Sequence, residues 1–421
     1  MSINRAFLIS GILSLALIGS PTAVGAKAGG LDPTFGKAGK VTTNIAVVGQ
    51  PFPAIMDGAL DSKGNIVVVA SNGAGNPAAI ARFLPDGALD PFFGTAGVTF
   101  TPFSLSGELS QNFGTVAIAI QPNDEIIVGA STTNSAAAAE FALARFTTRG
   151  TLDTSFGSGG EVTTSFAGLN AVLLAIILQP NRDIVASGQS STTSTPSSGG
   201  AVLARYTSAG ELDHAFGNGG FVSLPGATPV SALALLSSGD ILFSSTSVGL
   251  LVNANGTVPE AVSQIDGIAN VGVMSFQSDG KLVSAAQQET QRDGETNGVL
   301  VTRTLPNGLA DSTFAAPLFY FNSGTTFREF NQSNPLAVTI TPGAQIVVGG
   351  SSATSQTQPV FGLARLNANG ALDKTFGSAG VLTTPIGQDD GVEKILVQKD
   401  SKIVAIGFSG TTLALARYLA Q

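Results

Sequence analysis

Short runs of apolar, mostly β-branched residues recur along the chain, and each run follows a polar turn. One unit of this pattern predicts four strands, over residues 116–120, 126–128, 141–146 and 162–166. Helical periodicity is absent throughout. The turn and its run occur seven times, at residues 63–68, 123–128, 181–185, 238–242, 279–283, 343–347 and 400–404. The pattern therefore predicts an all-β chain built from repeats.

Two further phrases recur in these units, one in the third predicted strand and one between the third and fourth strands. The first is an apolar strand ending in Arg, and the second is Leu-Asp-x-x-Phe-Gly, in which Phe is expected to pack between neighbouring units and Gly to permit a tight turn. The second phrase occurs at residues 31–36, 89–94, 152–157, 212–217 and 372–377, with a weaker copy at 310–315. Residues 221–310 depart from the pattern and hold the degenerate unit.

Seven four-stranded antiparallel units are typical of a seven-bladed β-propeller. Spread over residues 27–421, the units average roughly 56 residues each. An open β-solenoid is the alternative fold, but solenoids usually repeat at shorter periods. We expect residues 27–421 to form a single propeller domain.

The two ends of the chain are complementary. After residue 26 the chain has a Leu-Asp phrase and a strand over residues 41–45, whereas it stops shortly after Arg417, where the next phrase would begin. We therefore predict that the N-terminal strand completes the last blade. This pairing closes the ring and removes the exposed sheet edges of a linear array.

The Leu-Asp-x-x-Phe-Gly phrase, the strand ending in Ala-Arg and the turn before Ile-Val together resemble the delta-60 repeat family of bacterial propeller-like proteins. The resemblance covers essentially all of residues 27–421. It implies a propeller fold, and it implies no particular chemistry, because the family has none established.

Arg and Asp are spaced by eight residues in the repeats. The pairs are Arg82 and Asp90, Arg145 and Asp153, Arg205 and Asp213, Arg303 and Asp311, and Arg365 and Asp373. In the degenerate unit both partners are lost together, since Leu251 and Pro259 take their places. Joint loss is expected of a buried ion pair, because a single loss leaves an unpaired charge. We predict structural ion pairs, with Arg417 reaching Asp32 across the closure; a ring of anion-binding arginines is the functional alternative.

Composition excludes several function classes. Hydrophobic residues make up 43% of the 421 residues and charged residues 11%, so disorder driven by charge is excluded. The chain has no Cys and a single His, His214, which excludes disulfides, Cys-ligated metals and multi-histidine sites. A net charge of −8 argues against nucleic acid or an anionic membrane as a partner.

Residues 1–26 have the pattern of a secretory signal peptide. Arg5 precedes an apolar run over residues 6–18, and Val24-Gly25-Ala26 supplies the small residues of a cleavage site. Cleavage after Ala28 is an alternative, and so is an N-terminal membrane anchor, although the run is short for a span. We expect an exported protein, periplasmic or secreted, that is monomeric and has no membrane span.

Two groups of non-repeated residues are candidate sites. Aromatic residues are concentrated at Phe319, Tyr320, Phe321, Phe327 and Phe330, either as a binding patch or as strand core. Asp389, Asp390 and Glu393 are weak candidates for a calcium site, with a solvated acidic loop as the alternative. No other cofactor is expected.

Because the repeated residues report on architecture, function is expected where the repeats differ. The first hypothesis is a non-enzymatic propeller that binds a protein or envelope glycan through its variable loops. The second is a hydrolase, lyase or lactonase that uses carboxylates or a divalent cation, with Asp57, Glu108, Asp389 and Glu393 as non-repeated acids. A purely structural or adhesive role is the third.

Overall fold

The computed structural model confirms the all-β propeller. It describes residues 27–45, 56–106, 116–136, 138–166, 169–191, 200–224, 230–236, 238–245, 249–259, 273–277, 279–290, 296–306, 309–315, 317–319, 332–354 and 357–421. These residues contain seven antiparallel sheets and no helix. Residues 1–26, which carry the predicted signal peptide, lie outside the described part.

Each sheet is one blade, and its strands follow one another in chain order. Blade 1 contains β2 (Met56–Leu60), β3 (Ile66–Ala70), β4 (Pro77–Phe83) and β5 (Val98–Ser104). Blade 2 contains β6 (Val116–Ile120), β7 (Ile126–Thr133), β8 (Ala139–Phe146) and β9 (Glu161–Thr164). Blade 3 contains β10 (Asn170–Leu178), β11 (Ile184–Ser191), β12 (Gly200–Tyr206) and β13 (Phe221–Leu224).

The degenerate unit forms blade 4, with three described strands, β14 (Val230–Leu235), β15 (Ile241–Ser245) and β16 (Gly249–Val252). Blade 5 contains β17 (Val273–Phe276), β18 (Leu282–Thr290), β19 (Thr296–Thr304) and β20 (Leu318–Phe319). Blade 6 contains β21 (Gln332–Ile340), β22 (Ile346–Thr354), β23 (Thr357–Leu366) and β24 (Val381–Thr384). Blade 7 contains β25 (Asp390–Val397), β26 (Ile403–Ser409), β27 (Thr412–Tyr418) and, from the N-terminal end, β1 (Lys40–Thr43).

Strand β1 closes the ring as predicted. It pairs antiparallel with β27, from Lys40 opposite Ala416 to Thr43 opposite Leu413. The first strand of each blade contacts the first strands of both neighbours, and β25 contacts β2. The seven first strands therefore surround a central channel.

The core consists of apolar layers between neighbouring blades. Between blades 1 and 2, for example, Val69 and Phe93 from one blade pack with Ile118 and Val128 from the next. The second strands are almost wholly buried, as in β3, where all five residues are inaccessible to solvent. Their Val and Ile content suits a strand that is covered on both faces. Within the described ranges, no helix has the length and apolar character needed to cross a membrane.

Candidate functional site in the central channel

The repeated Arg and Asp residues form the same ion pair at six places. Each guanidinium lies 2.7–2.9 Å from its carboxylate, and its Cζ lies 4.6–5.0 Å from the centroid of the Phe ring in the same Leu-Asp phrase. The Arg–Asp–Phe groups are 82–90–93, 145–153–156, 205–213–216, 303–311–314, 365–373–376 and 417–32–35. We call this arrangement the junction motif.

The junction motif also connects neighbouring blades. Arg145 Nη1 donates a hydrogen bond to the Ser208 carbonyl of the next blade at 2.7 Å. The amide of Gly157 donates to the Ala209 carbonyl of the same turn at 2.8 Å. Each arginine of the motif thus serves a carboxylate, an aromatic ring and a neighbouring backbone, which assigns it to architecture rather than to an anion-binding ring.

Five carboxylates of the motif have pKa values below the usual range, namely Asp32, Asp153, Asp213, Asp311 and Asp373. Burial alone would raise the pKa of Asp32, but hydrogen bonds from Thr34 and the charges of Lys402 and Arg417 lower it to about 2. The same balance, with hydrogen bonds from Ser155 and the charge of Arg145, holds the pKa of Asp153 below its usual range. Ionised Asp therefore accompanies Arg at these junctions over the physiological pH range.

Against this repeated background, four charged residues are unusual because they lie on first strands. Among the described first strands, charged side chains occur only in β2 and β25, as Asp57, Asp390, Glu393 and Lys394. These two strands belong to blades 1 and 7, which meet where the ring closes. The other five described first strands contain only apolar or neutral residues.

Lys394 and Asp57 form an ion pair across the closure. Lys394 Nζ lies 2.8 Å from Asp57 Oδ1, and the side chains are 39% and 22% exposed. Asp57 Oδ2 accepts a hydrogen bond from the Ile118 amide of blade 2 at 3.1 Å. One carboxylate thus connects the first strands of three consecutive blades while the lysine stays accessible to solvent.

Glu393 precedes this lysine and lies at a β-bulge of β25, between Val392 and Lys394. The corresponding bulges of β10 and β21 contain Leu174 and Leu336, so a carboxyl group replaces an apolar side chain. Burial raises the pKa of Glu393 to about 7. This group can therefore exchange a proton near neutral pH, as a general acid or base requires. Asp57, Glu393 and Lys394 share only their location on the first strands β2 and β25, and under that definition we call them the channel cluster.

The predicted calcium ligands are not brought together. Asp390 is fully buried, and its carboxylate accepts hydrogen bonds from the amides of Ile386 at 2.7 Å and Gly387 at 3.1 Å. Its neighbour Asp389 is exposed. Within the described ranges, no three acidic or histidine side chains lie close enough to hold a metal ion. Asp390 stabilises the loop that leads into β25.

The predicted aromatic patch is described at one residue. Phe319, the last residue of β20, is 5% exposed and belongs to the core layer between blades 5 and 6. Its environment matches the strand-core alternative. Tyr320, Phe321, Phe327 and Phe330 lie outside the described residues, as does Glu108.

Sequence reasoning missed Lys394. A signal for it exists, because alignment of the seven first strands from their hairpin turns places Asp57 and Lys394 at the same repeat position, where most of the other strands carry Ala. A charge at a position that is otherwise small and apolar indicates a specific role.

Comparison with known proteins agrees with the fold. Residues 121–156 and 345–376 match a domain of unknown function (DUF5122) described as a β-propeller. Both segments run from a first hairpin to the Phe of a Leu-Asp phrase. The match supports a β-propeller repeat family. No curated protein matches the sequence.

Solved propellers are similar in fold at low sequence identity. Virginiamycin B lyase from Staphylococcus aureus is 14% identical, with a TM-score of 0.52 over 90% of this chain and 99% of that one. The WD40 propeller domain of Doa1 is 12% identical, with a TM-score of 0.48 over 91% of this chain and 98% of that one. At 14% identity, the similarity to virginiamycin B lyase shows the shared propeller fold alone.

Proposed function

We propose that the protein is an exported, non-enzymatic β-propeller that binds a protein or glycan of the cell envelope. Binding takes place on the variable face, which we define by the connections between second and third strands and between successive blades. The observation that carries the proposal is the different character of the two propeller faces. Export rests on the signal-peptide pattern of residues 1–26, and the periplasm or the exterior is the proposed location.

The opposite face, which we call the turn face, is occupied by repeated structure. It carries the first hairpins and the Leu-Asp phrases, whose residues bond to the neighbouring blade through the junction motif. On the variable face, connections between second and third strands range from two residues, 355–356, to eight, 192–199. Loops that differ in length and composition on a rigid scaffold are typical of binding surfaces.

A second candidate function is catalysis by the channel cluster. Glu393, with its pKa near 7, is suited to general acid or base chemistry, and Lys394 supplies an accessible cation beside Asp57. This arrangement would suit a carboxylate-based hydrolase, lyase or lactonase. Participation of a divalent cation such as calcium belongs to this candidate as well.

Thermal unfolding of residues 27–421 with envelope glycans, and with calcium or EDTA, tests the two candidates. A ligand that binds only the folded state raises Tm. The binding proposal expects a Tm increase that survives Glu393→Gln and is lost when residues 192–199 are replaced by a Gly-Ser linker. The same linker at residues 355–356 is the control. Turnover of a glycan or lactone that disappears in Glu393→Gln would overturn the non-enzymatic proposal in favour of the second candidate.

A further inference from the structure

A groove of about 530 Å³ opens on the turn face at the junction of blades 1 and 2. It is lined by Asp61, Lys63, Arg82, Phe92, Asp124, Thr148 and Arg149. Its residues come from the first hairpins of blades 1 and 2, from β4, from the Leu-Asp phrase of blade 1 and from the turn before that phrase in blade 2. The repeat otherwise keeps this part of the molecule uniform. Its volume lies within the range of small-ligand sites.

Phe92 departs from the repeat in this groove. The same position of the Leu-Asp phrase holds Thr34, Ser155, Ala215, Thr313 and Thr375 in the other copies. Thr34 and Ser155 donate their hydroxyls to the preceding Asp at 2.7 Å, which a phenyl ring cannot do. Phe92 is instead 84% exposed, an unusual state for a large apolar side chain. The substitution gives up a repeated hydrogen bond and places an aromatic surface at the groove.

Lys63 and Arg149 are the second departure. The hairpin position of Lys63 holds Asn, Asp, Ser or Gly in the other six blades, and the turn position of Arg149 holds Asp, Ala or Asn in the other turns of its kind. Within the described ranges, neither cation forms an ion pair. Arg82, by contrast, is engaged by Asp90. Two cations and one aromatic ring that the repeat does not require thus meet at a single junction.

The carboxylates of the groove accept hydrogen bonds from neutral donors. Asp124 accepts a hydrogen bond from the Ser62 amide at 2.7 Å, and Asp61 accepts from Asn65 Nδ2 at 2.8 Å. Although burial opposes it, hydrogen bonds from Ser62 and the charges of Lys63 and Lys399 lower the pKa of Asp124. Because no carboxylate in the described ranges forms an ion pair with Lys63 or Arg149, both cations can pair with an external ligand, and the remaining lone pairs of the carboxylates can accept hydroxyl protons.

We propose that this groove binds an acidic oligosaccharide of the uronate class. The cations pair with the sugar carboxylates, the exposed face of Phe92 packs on the apolar face of a pyranose ring, and Asp124 with Thr148 receives sugar hydroxyls. The groove combines carboxylates that can accept hydroxyl protons with cations that form no ion pair in the described ranges. This combination favours an acidic sugar over a polyacidic peptide, because the peptide brings carboxylates but no hydroxyl donors. This site lies on the turn face and does not depend on the variable-face proposal.

Titration calorimetry of residues 27–421 with oligogalacturonate of three to six units tests the proposal, with neutral galacto-oligosaccharides of the same length as the reference. Phe92→Thr and Arg149→Asn restore residues found in the other repeats, so they leave the fold intact. Each is expected to weaken oligogalacturonate binding at least tenfold. Arg182→Asn, which removes an exposed cation from a blade 3 turn, is the matched control and is expected to bind as the unaltered protein does.

Four results would overturn the proposal. If oligogalacturonate does not bind, or binds Phe92→Thr and Arg149→Asn as tightly as the unaltered protein, the groove is not its binding site. If the neutral sugar binds as tightly as oligogalacturonate, the cations do not contribute to recognition. Tighter binding of a poly-glutamate peptide than of oligogalacturonate, with the same loss in both variants, would assign the groove to an acidic peptide instead.

Discussion

Arg417, in the last strand of the chain, forms an ion pair with Asp32 near the start of the described chain, with 2.9 Å between Nη2 and Oδ2. Its Cζ lies 4.7 Å from the centroid of the Phe35 ring, and its carbonyl accepts a hydrogen bond from the Asp32 amide at 2.8 Å. Five of the other blades have the same ion pair, ring contact and amide–carbonyl hydrogen bond. The ring is therefore closed by the junction motif found in these five blades, in addition to strand pairing.

The closure predicts acid-sensitive stability. The pKa of Asp32 is lowered from 3.8 to about 2 in the folded protein, so its stabilising effect is full above pH 4 and is lost as the pH falls to about 2. At pH 6, Asp32→Asn is expected to lower the free energy of unfolding by about 2 kcal/mol.

Chemical denaturation of both proteins at pH 6, 4, 3 and 2 provides the measurement, and their difference should shrink towards pH 2. Glu211→Gln, which removes an exposed carboxylate from blade 3, serves as the control. A difference that stays constant with pH would contradict the role of the Asp32 charge.

The junction motif predicts strong coupling between its two charges. Arg205→Leu leaves the partly buried Asp213 carboxylate without its cation and is expected to cost about 1–3 kcal/mol of unfolding free energy. The double variant Arg205→Leu with Asp213→Asn should lose clearly less than the sum of the single losses. Blade 4, where Leu251 and Pro259 replace both partners, shows that the fold accommodates joint loss.

A double-mutant cycle from equilibrium denaturation measures this coupling. Lys374→Leu removes an exposed cation beside Asp373 and should change stability little. Simple additivity of the two losses at Arg205 and Asp213 would show that the pair is not a unit.

Close packing at the blade junction predicts different costs for two similar glycines. Gly150 has φ +75°, and an added Cβ would lie 2.8 Å from the Phe93 ring and 2.9 Å from the Gly94 amide. Gly159 has φ +69° with open space around it. Gly159→Ala should lower the free energy of unfolding by about 1 kcal/mol, from backbone strain alone. Gly150→Ala should lower it by about 1–3 kcal/mol more, because the added methyl group overpacks the junction.

Denaturation midpoints of the two alanine variants make the comparison directly, because each variant is the control for the other. Equal losses would mean that the junction yields to an extra methyl group, contrary to the packing described above.

The channel cluster predicts the opposite pH dependence from Asp32. The folded pKa of Glu393 is raised from 4.5 to about 7, so the folded protein holds this proton more tightly than the unfolded chain. Stability should therefore fall by about 3 kcal/mol as the pH rises from about 4.5 to 7. Glu393→Gln should remove this decline and be more stable than the unaltered protein at pH 8.

Thermal unfolding from pH 4 to pH 8 tests this, with Glu211→Gln again as the control. The prediction concerns the slope of stability against pH. A Glu393→Gln protein that is less stable for another reason would keep the pH profile of the unaltered protein. A decline of equal size in Glu393→Gln would place the titrating group elsewhere.

Much of the architecture was predictable because its signals are local and repeated. The strand over residues 116–120 is reproduced as β6, and the N-terminal strand predicted at 41–45 is found as β1, one residue earlier at its start. The eight-residue spacing of Arg and Asp reflects contacts within one blade, which short chain segments can specify. Phe319 shows the limit of such reasoning. An aromatic-rich segment is equally consistent with a binding patch and with strand core, and only the packing in the tertiary structure distinguishes the two.

The sequence by itself determined the seven repeats, the strand order and the complementarity of the two ends, because period-two patterning and turn residues act between neighbouring strands. Only the tertiary structure decided where the departures from the repeat meet. Asp57 and Lys394 become partners because the closed ring places blades 1 and 7 side by side. Phe92 and Arg149 share a groove because successive blades stack through the junction motif. Such contacts depend on the position of whole blades around an axis, which no local pattern encodes.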